Sequence, residues 1–367
     1  MNTLQRLHAE QDQSPWIDFI DRELINSGRL DDLIDEGIRG LTSNPTIFAK
    51  AIASGKYDEL IKQQIDAGHG NAEIFEEIAV SDVGDAADEL RRVYDESNGT
   101  DGFASIEVEP ELADDTAKTV ERARHLWERL NRPNVFIKIP ATDAGVPAIT
   151  ECIAEGININ VTLMFSVDVY RDVAHAYLEG LRRRRAAGHE LDRLASVASF
   201  FVSRVDTKVD KQLQARTDRR AADLLGKAAI ANAKMAYQAY LEIFHGPEFD
   251  ELRAAGAQVQ RCLWASTSTK NPDYRDVLYV EELIGPETVN TMPIDTINAF
   301  LDHGNVQRTV DRNVDEARDV LRDLGGQGID MDQVTDELIE EGVKTFAKSF
   351  EDLMDTIDSQ RKALATA

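Results

Sequence analysis

Ile157-Asn-Ile-Asn-Val-Thr-Leu-Met-Phe165 places Ile157, Ile159, Val161, Leu163 and Phe165 on one face and Asn158, Asn160 and Thr162 on the other. Such alternation marks a strand, because successive side chains point to opposite sides of the pleat. Seven other runs read the same way and feed amphipathic helical sequence: Trp16 to Asp21, Ile38 to Ser43, Gly102 to Val108, Asn134 to Ile139, Leu194 to Val202, Val259 to Ser266 and Thr288 to Met292. Strands alternating with helices indicate parallel βαβ units, and eight of them indicate a closed α/β barrel of the (β/α)8 type. The alternative is a doubly wound open sheet. That fold would more naturally carry a glycine-rich phosphate loop after an early strand, and neither GxGxxG nor GxxxxGK[ST] occurs.

In a barrel, alternate strand residues look inwards while the others meet the helices and should be apolar. Asn158, Asn160 and Thr162 are therefore expected inside. Ser105, Glu107 and Glu109 stand opposite Ile106 and Val108, and Phe136 and Lys138 opposite Val135, Ile137 and Ile139. Val197, Ser199 and Phe201 share a face with Arg204 just beyond; Asp18 is in register with Trp16; Thr42 to Asn44 precede Pro45. Alone, each polar residue reads equally as a satisfied core hydrogen bond or an exposed strand end, and Glu107 with Lys138 as a structural ion pair. Their joint occurrence near strand C-terminal ends, where barrel enzymes keep their chemistry, points to a site.

Lys138 is the most informative of them. It sits amid Asn134-Val-Phe-Ile-Lys-Ile-Pro-Ala-Thr142, where an ammonium is expensive to bury. A lysine there either snorkels to solvent and pairs with a carboxylate, or is held as a neutral amine able to form a Schiff base with a carbonyl.

The chain has 367 residues, enough for one elaborated barrel. Barrel strands are expected within about 16–292, with a C-terminal helical extension over about 293–367 and no low-complexity linker. Helical sequence fills Ala221 to Phe244, Asp315 to Leu324 and a long segment from Met331 towards Lys362. A formal charge of -26 opposes binding to nucleic acid or anionic membranes. The one basic block, Arg182 to Arg185, reads as a solvated last helical turn favoured by the helix dipole. Two cysteines, Cys152 and Cys262, suit a reducing compartment, and no apolar run approaches the ~20 residues of a membrane span, so a cytoplasmic protein is expected. The seven histidines form no HxH or HExxH pattern, and no metal site is expected.

Six segments resemble the transaldolase family in its own order. They are Gly40-Leu-Thr-Ser-Asn-Pro-Thr-Ile-Phe48, Ser105-Ile-Glu-Val-Glu109, Phe136-Ile-Lys-Ile-Pro140, Gly156-Ile-Asn-Ile-Asn-Val-Thr-Leu-Met-Phe-Ser166, Ser199-Phe-Phe-Val-Ser-Arg204 and Trp264-Ala-Ser-Thr-Ser-Thr-Lys-Asn-Pro272. The Ser14-Pro-Trp-Ile-Asp18 opening and Lys270-Asn-Pro272 are closest to the longer-chain branch familiar from actinobacteria and cyanobacteria. The resemblance implies a class I enzyme of the non-oxidative pentose phosphate pathway on a circularly permuted (β/α)8 barrel. Such enzymes move a dihydroxyacetone unit from sedoheptulose 7-phosphate to glyceraldehyde 3-phosphate, giving erythrose 4-phosphate and fructose 6-phosphate, without metal or organic cofactor, as monomers or homodimers.

By the same resemblance Lys138 is the Schiff-base nucleophile, Asp18 the acid–base for the C4 hydroxyl, and Glu107 with Thr162 the pair that activates water. Asn44, Asn160 and Ser199 bind hydroxyls of the dihydroxyacetone unit, beside Phe201. Arg204, helped by Ser266 and Lys270, binds phosphate. The family's better-known Asp-Thr-Gly around the first aspartate is replaced by Trp16-Ile-Asp-Phe-Ile20, and Lys270 stands near where other branches have an arginine. Two rivals remain: a sibling aldolase that uses free dihydroxyacetone, whose members tend to carry Gln at Glu107 and Tyr at Phe201, and a non-catalytic sugar-phosphate binder, which would have lost at least one catalytic position.

Overall fold

The structure is a computed structural model describing residues 1–216 and 219–365; the last two residues of the expected C-terminal extension lie outside them. Eight parallel strands close in chain order: β1 Gln13–Ile17, β2 Gly40–Leu41, β3 Phe103–Glu107, β4 Val135–Pro140, β5 Ile159–Met164, β6 Ser196–Phe201, β7 Gln260–Ala265 and β8 Thr288–Met292, with β8 pairing back onto β1. All eight runs read from the sequence are strands, with shifted ends. β1 starts earlier than the expected Trp16 because Gln13, Ser14 and Pro15 pair with Thr288, Val289 and Asn290. It stops at Ile17, since Asp21 instead accepts from Leu24 N–H and starts the helix Arg22–Asn26.

The alternation in β5 ends sooner than the sequence suggests. A bulge opens against β6 between Val161 and Met164, and Leu163 adopts a left-handed φ of 57°. Leu163 and Phe165 thereby leave the outward apolar face. Their side chains meet the C-terminal helix, Met331–Ala365, where a Cβ on Gly342 would stand 3.2 Å from Leu163 Cδ2 and 3.7 Å from Phe165 Cε2.

Inside the barrel, Trp16, Phe103 and Phe136 pack with Val197, Leu263 and Val289 into an apolar floor. Phe103 and Phe136 stack with centroids 4.2 Å apart, and such pairs contribute ~0.5–1.5 kcal/mol beyond the area they bury. Trp16 needs glycine opposite: a Cβ on Gly40 would lie 2.5 Å from its ring. Beneath the floor, buried Asp101 accepts from Ser14, from Trp16 Nε1 at 2.9 Å and from Arg39 at 2.7 Å, which ties the barrel's N-terminal end together. The polar groups around Lys138 lie at the other end, beyond Phe136 along β4.

The long connections hold several helices each. Between β2 and β3 lie Pro45–Ala53, Asp58–Asp66, Asn71–Glu89 and Arg91–Glu96. The expected helix Ala221 to Phe244 is two, Arg219–Ala222 and Ala228–Phe244, because the chain turns at Gly226, with φ 71° against the Tyr274 ring. The arginine block closes the helix Val167–Ala186, and Arg182, Arg183 and Arg185 pair with Glu248, Glu151 and Glu251. No helix among the described residues is long and apolar enough to cross a membrane.

Candidate active site

Above the aromatic floor, strand register sets polar groups level with one another. Glu107 pairs with Lys138, and Lys138 with Asn160, across three neighbouring strands. Lys138, only 7% exposed, puts Nζ 2.8 Å from Glu107 Oε1 and donates to the Ser43 carbonyl at 3.0 Å. Burial pushes the Glu107 carboxyl up and the charge of Asp18 pushes it further, against the pull of Lys138. Its second oxygen, Oε2, is buried with no hydrogen-bond partner among the described residues. A buried unpaired carboxylate oxygen invites a donor, here a water or a substrate hydroxyl.

Asn160 is oriented from both sides. Its Nδ2 donates to Ser105 Oγ at 3.2 Å and its Oδ1 accepts from Ser199 Oγ at 2.6 Å. Thr162 is 2% exposed and pairs in register with Pro140, two residues further towards the strand ends than Lys138 and Asn160. Asp18 follows β1, its backbone N–H bound to Met292 O, and its Oδ1 accepts from Thr42 Oγ1 at 2.7 Å. Burial raises its carboxyl, opposed by that hydrogen bond and by the charges of Lys138 and Lys270.

At the mouth, Arg204 lies in the first turn of the helix Ser203–Gln214, with its guanidinium 5.1 Å from the centre of the Phe201 ring. Desolvation lowers its pKa, and it forms no ion pair among the described residues. The nearby Asp206 is committed elsewhere, to Ala229 N–H at 2.7 Å and Tyr279 Oη at 2.8 Å. Ser266, with φ 57°, shares a 2.9 Å hydroxyl contact with Ser203, and exposed Lys270 donates to Ser268 Oγ. Asn44 spends Oδ1 on capping the helix Pro45–Ala53 through Ile47 N–H, so its amide Nδ2 is the group left for a ligand.

Two polar residues of the expected inner set serve the fold instead. Glu109 turns onto Arg122 at the start of a short helical turn, away from Lys138. Asn158 braces three strands, donating to Pro133 O and Val135 O and accepting from Ala195 N–H. Conversely, Thr291, whose hydroxyl lies 2.8 Å from that of Thr42 beside Asp18, is a neighbour of the site that reading the sequence misses. The available signal is its place on the inner face of β8. Cys262 lies against Tyr170, its thiol pushed up to about 12 by burial, which leaves it unreactive. No group of three or more His, Cys, Asp or Glu among the described residues could hold a metal ion.

The arrangement offers a buried amine, a carboxyl able to exchange its proton, a second carboxyl two strands away, fixed hydroxyl-binding groups and a guanidinium with no ion pair among the described residues. That set suits imine chemistry on a phosphorylated polyol. The family model described as Transaldolase/Fructose-6-phosphate aldolase matches residues 15–357. A "Transaldolase" of Saccharopolyspora erythraea is 48% identical over 98% of this chain and 99% of its own. A "Transaldolase" of Mycolicibacterium paratuberculosis is 48% identical over 95% and 94%, and "Transaldolase 2" of a Nostoc species 46% over 97% of both.

Proposed function

The chain belongs to the transaldolase/fructose-6-phosphate aldolase family, and on that premise we propose that it is a transaldolase moving a dihydroxyacetone unit between sugar phosphates through a Schiff base on Lys138. The observation that carries this reading is the amine of Lys138 inside the barrel, 2.8 Å from a carboxyl whose pKa burial raises. Glu107 takes the ammonium proton, and the free amine attacks C2 of sedoheptulose 7-phosphate. Glu107 then returns a proton to the departing oxygen, water leaves, and an iminium forms.

Asp18 accepts the C4 hydroxyl proton, the C3–C4 bond breaks, and erythrose 4-phosphate departs while the electron pair enters the iminium to give an enamine. The enamine carbon attacks the aldehyde of glyceraldehyde 3-phosphate, and Asp18 returns the proton to the new alkoxide. Water held by Glu107 and Thr162 hydrolyses the imine, releasing fructose 6-phosphate. Asn44, Asn160 and Ser199 fix the hydroxyls of the three-carbon unit, so the bond that breaks stays aligned with the iminium. Arg204, with Ser266 and Lys270, holds phosphate, and its having no carboxylate partner among the described residues supports that role.

Glu107 in place of Gln and Phe201 in place of Tyr favour transfer over the aldolase reaction with free dihydroxyacetone. Incubation with erythrose 4-phosphate and fructose 6-phosphate tests this: sedoheptulose 7-phosphate and glyceraldehyde 3-phosphate should appear together. Release of free dihydroxyacetone as the main product would assign the sibling activity instead. Large exposed apolar side chains among the described residues are Met1 and Ile294, which supports a monomer over a homodimer. Two buried free thiols support a cytoplasmic location.

A further inference from the structure

Thr42 Oγ1 touches two groups, Asp18 Oδ1 at 2.7 Å and Thr291 Oγ1 at 2.8 Å, and it owns one proton. An ionised carboxylate only accepts, so that proton points at Asp18 and the second contact must be donated by Thr291. The two hydroxyls come from either side of β1: Thr42 N–H binds Ile17 O just beyond β2, and Thr291 pairs with Trp16 in β8. Both threonines are nearly inaccessible, at 3% and 4% exposure, so bulk water does not stand in for either. Thr267 Oγ1 contacts Thr291 O and Asn290 Oδ1, which fixes the backbone carrying the terminal donor.

We infer that Thr291 is a positioning residue for the transfer reaction, whose hydroxyl acts through Thr42 to hold Asp18 ionised with Oδ1 oriented for proton abstraction. The inference rests on the reading of Asp18 as the acid–base. Protonation at Oδ1 would reverse the chain, with Asp18 donating to Thr42 and Thr42 to Thr291. The Thr291 proton would then need an acceptor, and none bonds it among the described residues. The chain therefore favours the carboxylate, against burial. The charged groups facing Asp18 are Lys138 on β4 and Lys270 after β7, which act in the same sense, and Glu107 on β3, which acts against it.

The test is the pH dependence of kcat/KM in Thr291→Val and Thr291→Ser, with thermal melts of each. Valine removes the donor in nearly the same shape, so the acidic limb should move upwards by roughly half to one pH unit, and serine should restore it. Thr291→Ala gives the same reading with room to spare, should valine disturb packing. A limb unmoved in both Val and Ala, or a pH-independent loss that serine fails to rescue, overturns the inference. Asp18→Asn separates the two layers: near wild-type turnover in that variant would remove the Asp18 reading itself, whereas a large loss there with an unmoved Thr291→Val limb would remove only the role of Thr291.

Discussion

The proton between Lys138 Nζ and Glu107 Oε1, 2.8 Å apart, decides when the lysine is a nucleophile. A glutamine at 107 keeps the shape and cannot take that proton, so Glu107→Gln should slow turnover by roughly a hundredfold to ten-thousandfold with the melting temperature little changed. Thr162→Ala should also slow it, by roughly tenfold or more, through the water step. Loss of cooperative unfolding with no specific kinetic defect would make Glu107 a structural ion-pair partner. At this scale the inner face of the strands was legible, because polar groups at every second position of an apolar run are costly to bury unless the barrel interior uses them. The link that tunes Asp18 was not: Thr42 was visible in the polar set, but its partner Thr291 is 249 positions away, and no local pattern joins them. Glu109 misled because it continues the Ser105, Glu107 alternation beyond Glu107, where β3 ends.

The junction of β6 with the helix Ser203–Gln214 separates two charges that the sequence places two residues apart. Arg204 faces the Phe201 ring with no ion pair among the described residues, while Asp206 holds the start of the helix Ala228–Phe244 and the Tyr279 hydroxyl. Arg204→Ala should therefore raise KM for fructose 6-phosphate by roughly ten- to a hundredfold, the equivalent of a charge-assisted contact of ~1.5–3 kcal/mol, and change KM for unphosphorylated fructose far less. Equal losses for both sugars would end the phosphate assignment. Asp206→Asn should leave both values alone and act on stability instead. Burial lifts the Asp206 carboxyl to about 6, so the unfolded chain ionises first as pH rises and the folded state loses stability between pH 4 and 6. Asparagine escapes that loss. Its melting temperature relative to wild type should improve from pH 4 to pH 7, and a gap that widens instead would show Asp206 stabilising as an anion. Element ends were the least legible feature: the two residues of β2 and the turn at Gly226 depend on what packs against them.

Across the whole molecule, one end of the barrel is closed by aromatic packing over the Asp101 network and the other is left polar beneath the C-terminal helix. That helix spans the strand ends: Ser349 meets Thr46 after β2, Phe350 packs on Phe75, and Glu337 and Glu341 pair with Lys208 after β6. Its amphipathic length was evident in the sequence, but its position across the strand ends was not, since contacts distant in the chain, such as Gly342 against Leu163, fix it there. The architecture leaves Lys138 as the amine enclosed among the proposed acid–base and hydroxyl-binding groups, whereas Lys270 is exposed and Lys208 is paired with two glutamates. The most direct measurement is borohydride reduction of the intact protein with and without fructose 6-phosphate, followed by peptide mapping. A sugar-dependent covalent adduct confined to Lys138, absent in Lys138→Ala, is the expected result. An adduct on Lys208 or Lys270, or none in an active preparation, would contradict the account.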